Sequence, residues 1–439
     1  MIDRYKFLSG LFFGAMWALL TFGFISEELL PPLIPFRSVV LLLTDIIFLF
    51  LGIYLLRDRR DIFVLVSFLI IGVISCHLNH LGLIFSFNGT RDFFGLLFAV
   101  PICRWFLTSK YREQFISSFD KQLLIFLFLQ AFCMTWQFIR YGANDHGGGS
   151  MGYGYSGIVS TLIYIISFYL LSKRWRYGNY LDEVVRNKMY FILLYPTFLN
   201  ETKISFIFLL AYFLLLFPFE WRTVFKLIMA VPIMIVGMLG LGIAYLSITG
   251  QNMESVFSQE AMDDYMIGED PEELLELAQF IQDGTYDVED IGNIDVPRFT
   301  KIIFIPEALS DCVGGIMFGA GLGQFKGGTV MELTPFAAEW QWLLTGSLPF
   351  LFSVVIQLGI LGLIWFCINI ATILLPRSPL PAGINIKCFI WVIIILVMMY
   401  NDSLRFFPFT FILVYIALYG YVGNIKRSDN EMVGCYDWK

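Results

Sequence analysis

Two charged side chains stand directly before a long apolar stretch of the chain. In FLNETKISFIFLLAYFLLLF, which starts at residue 198, Glu201 and Lys203 precede the apolar run. One interpretation is that the lysine ammonium, which acts as a point charge, binds an anionic group at the edge of an apolar region. The other is that Glu201 and Lys203 form a local surface pair of little energetic value.

The composition indicates which elements must position these groups. Hydrophobic residues make up 58% of the 439 residues and charged residues only 15%, which is far from the balance of soluble globular proteins. Several continuous apolar stretches approach or exceed the roughly 20 residues that span a bilayer, and they lack the alternation of barrel strands. The sequence therefore predicts an all-α, polytopic transmembrane helical bundle.

About twelve spans are predicted from the apolar stretches. We expect them at 7–25, 38–56, 62–79, 93–108, 122–139, 157–171, 189–200, 204–218, 227–248, 347–374, 386–400 and 406–422. They divide the chain into spans one to nine within 1–248, one large loop at 249–346, spans ten to twelve within 347–422, and a tail at 423–439.

The basic residues predict the orientation of these spans. They cluster in alternate loops, namely RDRR at 57–60, SKYR at 109–112, KRWR at 173–176 and NIKR at 424–427. The positive-inside rule places such loops in the cytoplasm, so both termini are expected there. The large loop is then extracytoplasmic.

Four cations are predicted at the outer edge of the membrane, where cations are scarce. They are Arg91, Arg140, Lys203 and Arg405. One interpretation is that each is an ordinary interfacial anchor. The other is that together they bind an anionic group, and the sequence leaves both interpretations open.

The large loop has two halves of different character. Its first half is strongly acidic and contains a predicted short amphipathic helix after Asp270 and Pro271. Its second half is apolar, aromatic and rich in glycine, and we expect it to fold back onto the membrane face. The glycine-rich stretch at 319–328 lacks the spacing of a nucleotide-binding loop, so no nucleotide site is predicted.

Several other ionisable residues are noticeable by position. Asp45 lies well inside a predicted span, where acidic residues are functional candidates. His146 lies in an outer loop rich in glycine and tyrosine, where contact with a sugar and a plain loop role are both open. Glu27 and Glu28 follow the first span, and the pair is similar to the acidic metal site of some lipid-dependent glycosyltransferases. Two residues alone do not define such a site, and neither a zinc site nor a twelve-residue calcium loop has its ligand spacing here, so no metal is predicted.

The pattern resembles the O-antigen polymerase and O-antigen ligase superfamily, bacterial membrane enzymes that join lipid-linked glycans outside the inner membrane. The position of the long loop carries the resemblance, together with three motifs. These are LNETKISF at 199–206, Arg298 followed by PEALSDCVGGIMFGAGLGQF at 306–325, and QLGILGL at 357–363.

Two departures from the family pattern affect what the resemblance implies. Lys203 stands where the family usually has arginine. SLPFLF at 347–352 stands where the ligases carry a histidine–asparagine motif. The missing histidine favours a polymerase over a ligase.

The resemblance implies a metal-independent, GT-C-like glycosyltransferase without a cofactor, in the bacterial inner membrane. It would transfer a polyprenyl-pyrophosphate-linked glycan onto another lipid-linked repeat unit, with Arg298 and Lys203 stabilising the departing pyrophosphate. The candidates for the general base are Glu307, Asp311 and Glu339. Residues expected to support substrate binding are Arg140, Arg91, Arg405, Glu201, Lys301 and His146.

The expected partners follow from the same resemblance. They are the lipid-linked oligosaccharide, the bilayer and a chain-length regulator protein, with no nucleic acid. Trp340 and Trp342 are candidates for stacking on sugar rings, although interfacial aromatic residues are common in any membrane protein.

Other functions stay open at this point. A ligase of the same fold would transfer finished chains to another acceptor. A secondary transporter or lipid-glycan flippase also suits twelve spans, but such proteins usually show two related halves, and no such repeat is visible. A purely structural membrane protein would not explain the outer cations.

Overall fold

The computed structural model is helical throughout the part of the chain that it describes. The described residues are 4–142, 147–175, 180–200, 204–216, 296–325, 333–344, 348–374 and 381–429. The predicted span at 227–248, the acidic half of the large loop and the end of the tail lie outside these residues.

The first ten helices cover the N-terminal half of the described chain. They are α1 (Arg4–Phe24), α2 (Arg37–Leu55), α3 (Arg59–Leu78), α4 (Leu83–Arg91), α5 (Phe94–Thr108), α6 (Arg112–Tyr141), α7 (Ser156–Ser172), α8 (Tyr180–Arg186), α9 (Lys188–Ile192) and α10 (Ile204–Leu214). Short turns join them, including a π-helical turn at Ile25–Leu29 and 3₁₀ turns at Pro31–Phe36, Gly149–Met151 and Tyr195–Phe198.

The remaining helices follow Val296. They are α11 (Arg298–Ile303), α12 (Ile305–Ala308), α13 (Gly315–Phe318), α14 (Pro335–Glu339), α15 (Gln341–Leu344), α16 (Phe350–Leu374), α17 (Pro381–Tyr400) and α18 (Phe407–Asp429), with a 3₁₀ turn at Ser403–Arg405 between the last two.

Long helices alternate in direction, so their ends lie at two faces of the bundle. We call the end where α1 and α6 finish the upper face, where Arg140 Nη1 lies 2.7 Å from Glu28 Oε2. At the opposite, lower face, Arg104 from the last turn of α5 lies 2.6 Å from Asp58 and 2.8 Å from Asp61 at the start of α3. Ion pairs therefore stabilise both ends of an apolar bundle.

The last three long helices join the bundle in the same alternating way. The Phe350 N–H at the start of α16 donates to the carbonyl oxygen of Asn401, just after α17. An ion pair between Arg405 and Asp92 links the turn after α17 to the start of α5. The upper face therefore contains the start of α16, the end of α17 and the start of α18.

Aromatic side chains fill much of the bundle core. Phe12 packs against Phe411 with ring centroids 4.5 Å apart, and Phe48 stacks on Phe407 at 3.6 Å. α5 approaches α18 closely at Gly95, where an added Cβ would lie 3.1 Å from Thr410. Because lipid offers no hydrophobic driving force between helices, such van der Waals packing holds the bundle together.

The apolar helices support the prediction of a helical membrane protein. Five described helices are long and apolar enough to cross a membrane, or six if α4 and α5, bent by 55° at their junction, form one span. The division into twelve spans stays a prediction. The predicted span at 189–200 is a short helix, α9, followed by a 3₁₀ turn, and α4 has no counterpart among the predicted spans.

The described second half of the large loop packs on the first half of α16. Leu309, Trp342 and Leu343 are buried there together with Phe352 and Ile356 from α16. This small core fixes the short helices α11 to α15 at the upper face. It places Arg298 and the glycine-rich stretch next to the helix ends.

Candidate anion-binding site

The glycine-rich stretch docks onto a break in α16. Gly359 has a φ of 66°, which interrupts the helix and leaves carbonyl groups before it without helical donors. The N–H of Ala320 donates to the Ile356 carbonyl at 2.7 Å, and that of Gly321 donates to the Gln357 carbonyl at 3.2 Å. Two of the motifs singled out in the sequence therefore contact each other directly.

Glycine is required where the two segments meet. A Cβ on Gly359 would lie 2.2 Å from the Met317 carbonyl oxygen, and one on Gly319 would lie 2.7 Å from the Gly359 nitrogen. Both residues have positive φ values, which other residues rarely adopt. The contact of two backbones thus explains the glycines that the sequence shows in both motifs.

Helix α3 closes the junction from a third side. Ser75 Oγ lies 2.9 Å from the Gln357 carbonyl oxygen and 2.5 Å from the Phe318 carbonyl oxygen. Asn79 Nδ2 donates to the Gly319 carbonyl at 2.9 Å. These contacts involve the Gln357 carbonyl freed by the break and the carbonyls of Phe318 and Gly319 in the docked segment, so they help to hold the glycine-rich stretch in one conformation.

The glycine-rich stretch ends beside Arg405. The Arg405 guanidinium lies 5.4 Å from the centroid of the Phe325 ring, within the range of a cation–π contact. It forms ion pairs with Asp92 and, at 3.4 Å, with Asp402. Burial lowers the pKa of Arg405, but the two carboxylates outweigh it and raise the pKa, so the side chain stays charged.

Arg298 lies against the end of α17. Its guanidinium carbon is 4.3 Å from the centroid of the Tyr400 ring. Tyr400 also lies close to the start of α7, since a Cβ on Gly157 would be 3.9 Å from Tyr400 Cε1 and 3.3 Å from Asn401 Nδ2. Arg298, the α17–α18 turn and the N-terminus of α7 therefore meet at the upper face.

The segment that leads to Lys203 reaches the same place. Asn200 is fully buried, and its Nδ2 donates to the Ser156 carbonyl at 3.1 Å and to Ser160 Oγ at 2.8 Å. These bonds fix the chain at the first turns of α7, three residues before Lys203. Glu201 and Lys203 themselves lie outside the described residues, as does His146.

The other predicted substrate-binding arginines have acidic partners. Arg91 pairs with Asp45 at 2.5 Å and donates to Asn88 Oδ1 at 2.9 Å, and Arg140 pairs with Glu28. The Asp45 that stood out inside a span is thus the partner of an upper-face arginine. Lys301 is fully buried in α11.

The three candidate bases are all exposed. Glu307 lies on α12, Asp311 follows that helix, and Glu339 ends α14. Burial and then the charges of Asp311 and Glu339 raise the pKa of the Cys312 thiol to about 11. Two of the three carboxylates therefore share one neighbourhood, around Cys312.

Two aromatic predictions change with the structure. Trp340 and Trp342 are buried in the loop core, with ring centroids 5.9 Å apart, so their faces are not available for a sugar. Tyr400 and Asp92, which the sequence did not single out, contact the candidate cations instead. Their positions in the sequence point to them, because Tyr400 and Asp92 both lie directly at the ends of predicted spans.

The described residues contain no group of three or more His, Cys, Asp or Glu side chains that could hold a metal ion.

In comparisons with known proteins, neither a protein-family model nor a curated protein sequence matches this chain. The fold and the site together define a helical membrane protein with a cationic site at one face.

Proposed function

We propose that this protein joins lipid-linked glycans at the extracytoplasmic membrane face, as a polysaccharide polymerase. The observation that carries the proposal is the meeting of Arg298 with the α17–α18 turn and the N-terminus of α7, next to Asn200, which leads to Lys203. Arg298, Tyr400 and Asn200, which are distant in sequence, thus lie on elements that meet at this face. Lys203 lies outside the described residues, and its contact with the pyrophosphate is part of the proposal.

The chemistry assigns each group a role. The acceptor hydroxyl oxygen attacks the anomeric carbon of the donor glycan, the bond from that carbon to the pyrophosphate oxygen breaks, and the pyrophosphate leaves on its polyprenyl chain. Arg298 and Lys203 stabilise the negative charge that grows on the leaving group. The hydroxyl proton passes to a carboxylate, for which Asp311, Glu307 and Glu339 are the candidates.

Three of the basic residues have acidic partners. Arg91, Arg140 and Arg405 each form an ion pair with a carboxylate, so much of their charge is compensated, and we assign them supporting roles. Arg298 stacks on the Tyr400 ring. Because the planar guanidinium of arginine matches phosphate in a bidentate geometry, we assign the principal phosphate contact to Arg298, together with Lys203.

The surface polysaccharide of a deletion strain tests this function. Loss of a polymerase leaves one repeat unit on each lipid-linked acceptor at the cell surface and removes the ladder of longer chains. Reintroducing the gene restores the ladder. A ladder that persists in the deletion strain contradicts the proposal.

A second candidate, a lipid-glycan flippase, is favoured by the broken helix α16 and the bent pair α4–α5. Broken helices of this kind line the substrate sites of transporters. The same deletion strain separates the two functions, because loss of a flippase leaves no repeat unit at the surface at all. A single surface repeat unit supports the polymerase, and complete absence supports the flippase.

A further inference from the structure

A group of aromatic rings at the upper face is held by two carboxylates. We name it the aromatic platform, and it consists of Trp136, Tyr141 and Tyr153, with Glu27 and Glu28 beneath them. The three aromatic residues are 45%, 45% and 58% exposed. The structure therefore presents ring surface at the same face as the candidate anion-binding site.

The polar edges of two rings point at a buried acid. Glu28 Oε2, whose side chain is only 5% exposed, accepts hydrogen bonds from Trp136 Nε1 and from the Tyr141 hydroxyl, each at 3.4 Å. Interfacial aromatic residues ordinarily direct their polar groups to water and lipid headgroups. Here the polar groups are turned toward the protein, which leaves other parts of the rings exposed.

The backbone at the third aromatic residue, Tyr153, is fixed by the other glutamate. Glu27 Oε2 accepts the backbone N–H of Tyr153 at 2.6 Å. Gly152 makes this approach possible, since its φ is 86° and a Cβ there would lie 2.5 Å from Glu27 Oε2. Both glutamates are carried by the π-helical turn that ends α1, a feature that is frequent at functional sites.

The loop that carries Tyr153 is itself anchored to α6. Gln137 Oε1 accepts the Gly149 N–H at 2.8 Å, and Gln130 Oε1 accepts the Ser150 N–H at 2.9 Å. A preorganised surface binds its ligand at lower entropic cost than a flexible one. The platform is therefore built from α1, α6 and a loop fastened to α6.

The charges of the platform cancel. Glu27 pairs with Arg37 at 2.5 Å and Glu28 pairs with Arg140 at 2.7 Å, so two carboxylates face two guanidinium groups. Such a surface does not attract a strong anion.

The Arg140 guanidinium lies over the Tyr141 ring, 5.2 Å from its centroid, so Trp136 and Tyr153 offer the ring surface for the C–H side of a pyranose. Carboxylate and guanidinium groups lie beside this surface and can bind hydroxyls, which suits a polar, uncharged saccharide.

The platform is continuous with the candidate anion-binding site. The Tyr155 ring lies 5.6 Å from the Arg37 guanidinium carbon and 5.8 Å from the centroid of Phe406, which is next to Arg405. A glycan whose pyrophosphate end lies near Arg298 could extend across Tyr155 to the platform. Packed side chains of the upper face therefore connect the platform with the candidate anion-binding site.

We infer that the aromatic platform is a glycan-binding subsite that holds the saccharide part of the lipid-linked substrate or growing chain. This inference rests on the proposed polymerase function. It assigns sugar contacts to Trp136 and Tyr153, with Tyr141 beside them, and leaves the phosphate contacts to Arg298 and Lys203.

The chain-length distribution of the surface polysaccharide tests the inference in the complemented deletion strain. The double variant Trp136→Ala, Tyr153→Ala is expected to shorten the modal chain length to about half or less, because a weakly held chain dissociates earlier, while the shortest bands stay. Phe132→Ala is the matched control. Phe132 lies one turn before Trp136 on α6 and is 60% exposed, but no hydrogen bond holds it at the platform.

A direct measurement of glycan binding distinguishes a glycan subsite from a docking site for another protein. The probe is the strain's own polysaccharide, released from lipid by mild acid and titrated against the full-length protein in lipid nanodiscs. Trp136→Ala is expected to weaken binding at least about tenfold, and Trp136→Phe, which keeps a ring, much less. A shortened ladder with unchanged glycan affinity overturns the inference.

The two proposals fail in distinguishable ways. A ladder of ordinary length in the double variant, with glycan affinity unchanged, overturns the platform and leaves the polymerase function intact. A deletion strain that keeps its ladder overturns the polymerase function itself. Thermal unfolding of each purified variant shows whether a short ladder comes from a damaged fold, and a variant that unfolds early is replaced by Trp136→Leu.

Discussion

A guanidinium group behaves differently according to what lies beside it. Arg405 is held by two carboxylates and an aromatic ring, so removing it would leave Asp92 buried without its ion-pair partner. Breaking a buried pair in this way costs about 3–5 kcal/mol. Loss of activity after substitution of Arg405 would therefore report on stability as much as on chemistry.

Substitution of Arg298 tests the proposed phosphate contact. We expect Arg298→Ala to reduce polymer formation by at least about 100-fold, because one charge-stabilising group is worth about 10²–10³ in rate. Arg298→Lys should retain part of the activity, since lysine keeps the charge but loses the bidentate geometry. The measurement is the amount of ladder in the complemented deletion strain, at matched protein levels in the membrane.

The control for Arg298 comes from the lower face. Arg57 is exposed just before α3, so Arg57→Ala removes a guanidinium far from the site without breaking a buried ion pair. It should leave the ladder unchanged. Equal ladders from Arg298→Ala and Arg57→Ala would exclude Arg298 from the reaction.

At the scale of elements, the break in α16 is the feature that shapes the site. It exposes backbone carbonyls to the glycine-rich stretch, and that stretch in turn brings Phe325 to Arg405. Gly89 in α4 approaches the same stretch, since a Cβ there would lie 2.2 Å from the Gly323 nitrogen. The site therefore depends on close backbone contacts among three elements that are distant in sequence.

Gly359→Ala should destabilise the protein by more than about 2 kcal/mol. A left-handed backbone conformation costs about 1–2 kcal/mol for a residue with a Cβ, and the collision with the Met317 carbonyl adds to this cost. Thermal unfolding of the detergent-solubilised protein measures the effect.

Gly10→Ala is the matched control for Gly359→Ala. Gly10 lies in α1, and a Cβ there would meet nothing within 4 Å, so the substitution should be neutral or stabilising by up to about 1 kcal/mol. Equal unfolding temperatures for the two variants would show that the break in α16 tolerates a side chain.

The sequence predicts apolar elements better than it predicts their contacts. Long apolar runs identify α1, α2 and α3, because a helix that spans the bilayer needs about 20 consecutive, mostly apolar residues. The break at Gly359 is not apparent, since QLGILGL is part of a continuous apolar run. Short α4 was missed because its polar end, Asn88 to Arg91, interrupts the apolar pattern.

Side-chain partners are harder still to predict from sequence. Arg405 and Asp92 are separated by 313 residues, and no local pattern connects them. The sequence singled out Trp340 and Trp342 by residue type alone, but burial depends on the core formed with α16. In contrast, the sequence alone singles out Arg298 and the glycine-rich stretch, and the structure places Arg298 beside Tyr400 and the glycine-rich stretch on α16. The role of Arg298 stays a prediction.

At the scale of the whole molecule, the proposals depend on which side of the membrane the upper face occupies. The lower face contains Arg57, Arg59 and Arg60 at the start of α3 and Lys110 just before α6. The positive-inside rule places such a face in the cytoplasm. This rule predicts that the upper face, with Arg298 and the aromatic platform, is extracytoplasmic, where the proposed polymerase would meet its lipid-linked substrates.

Cysteine labelling of intact cells checks this orientation. Ser310→Cys at the upper face and Gln114→Cys at the lower face replace exposed, uncharged residues, each in a Cys312→Ser, Cys435→Ser background. A membrane-impermeant maleimide should label only the cysteine at 310 in intact cells, and both after the membrane is permeabilised. Since the remaining native cysteines lie within helices, the background protein measures their contribution. Labelling of the cysteine at 114 alone in intact cells would put Arg298 in the cytoplasm, away from any extracytoplasmic glycan, and both the polymerase and the glycan subsite would be wrong.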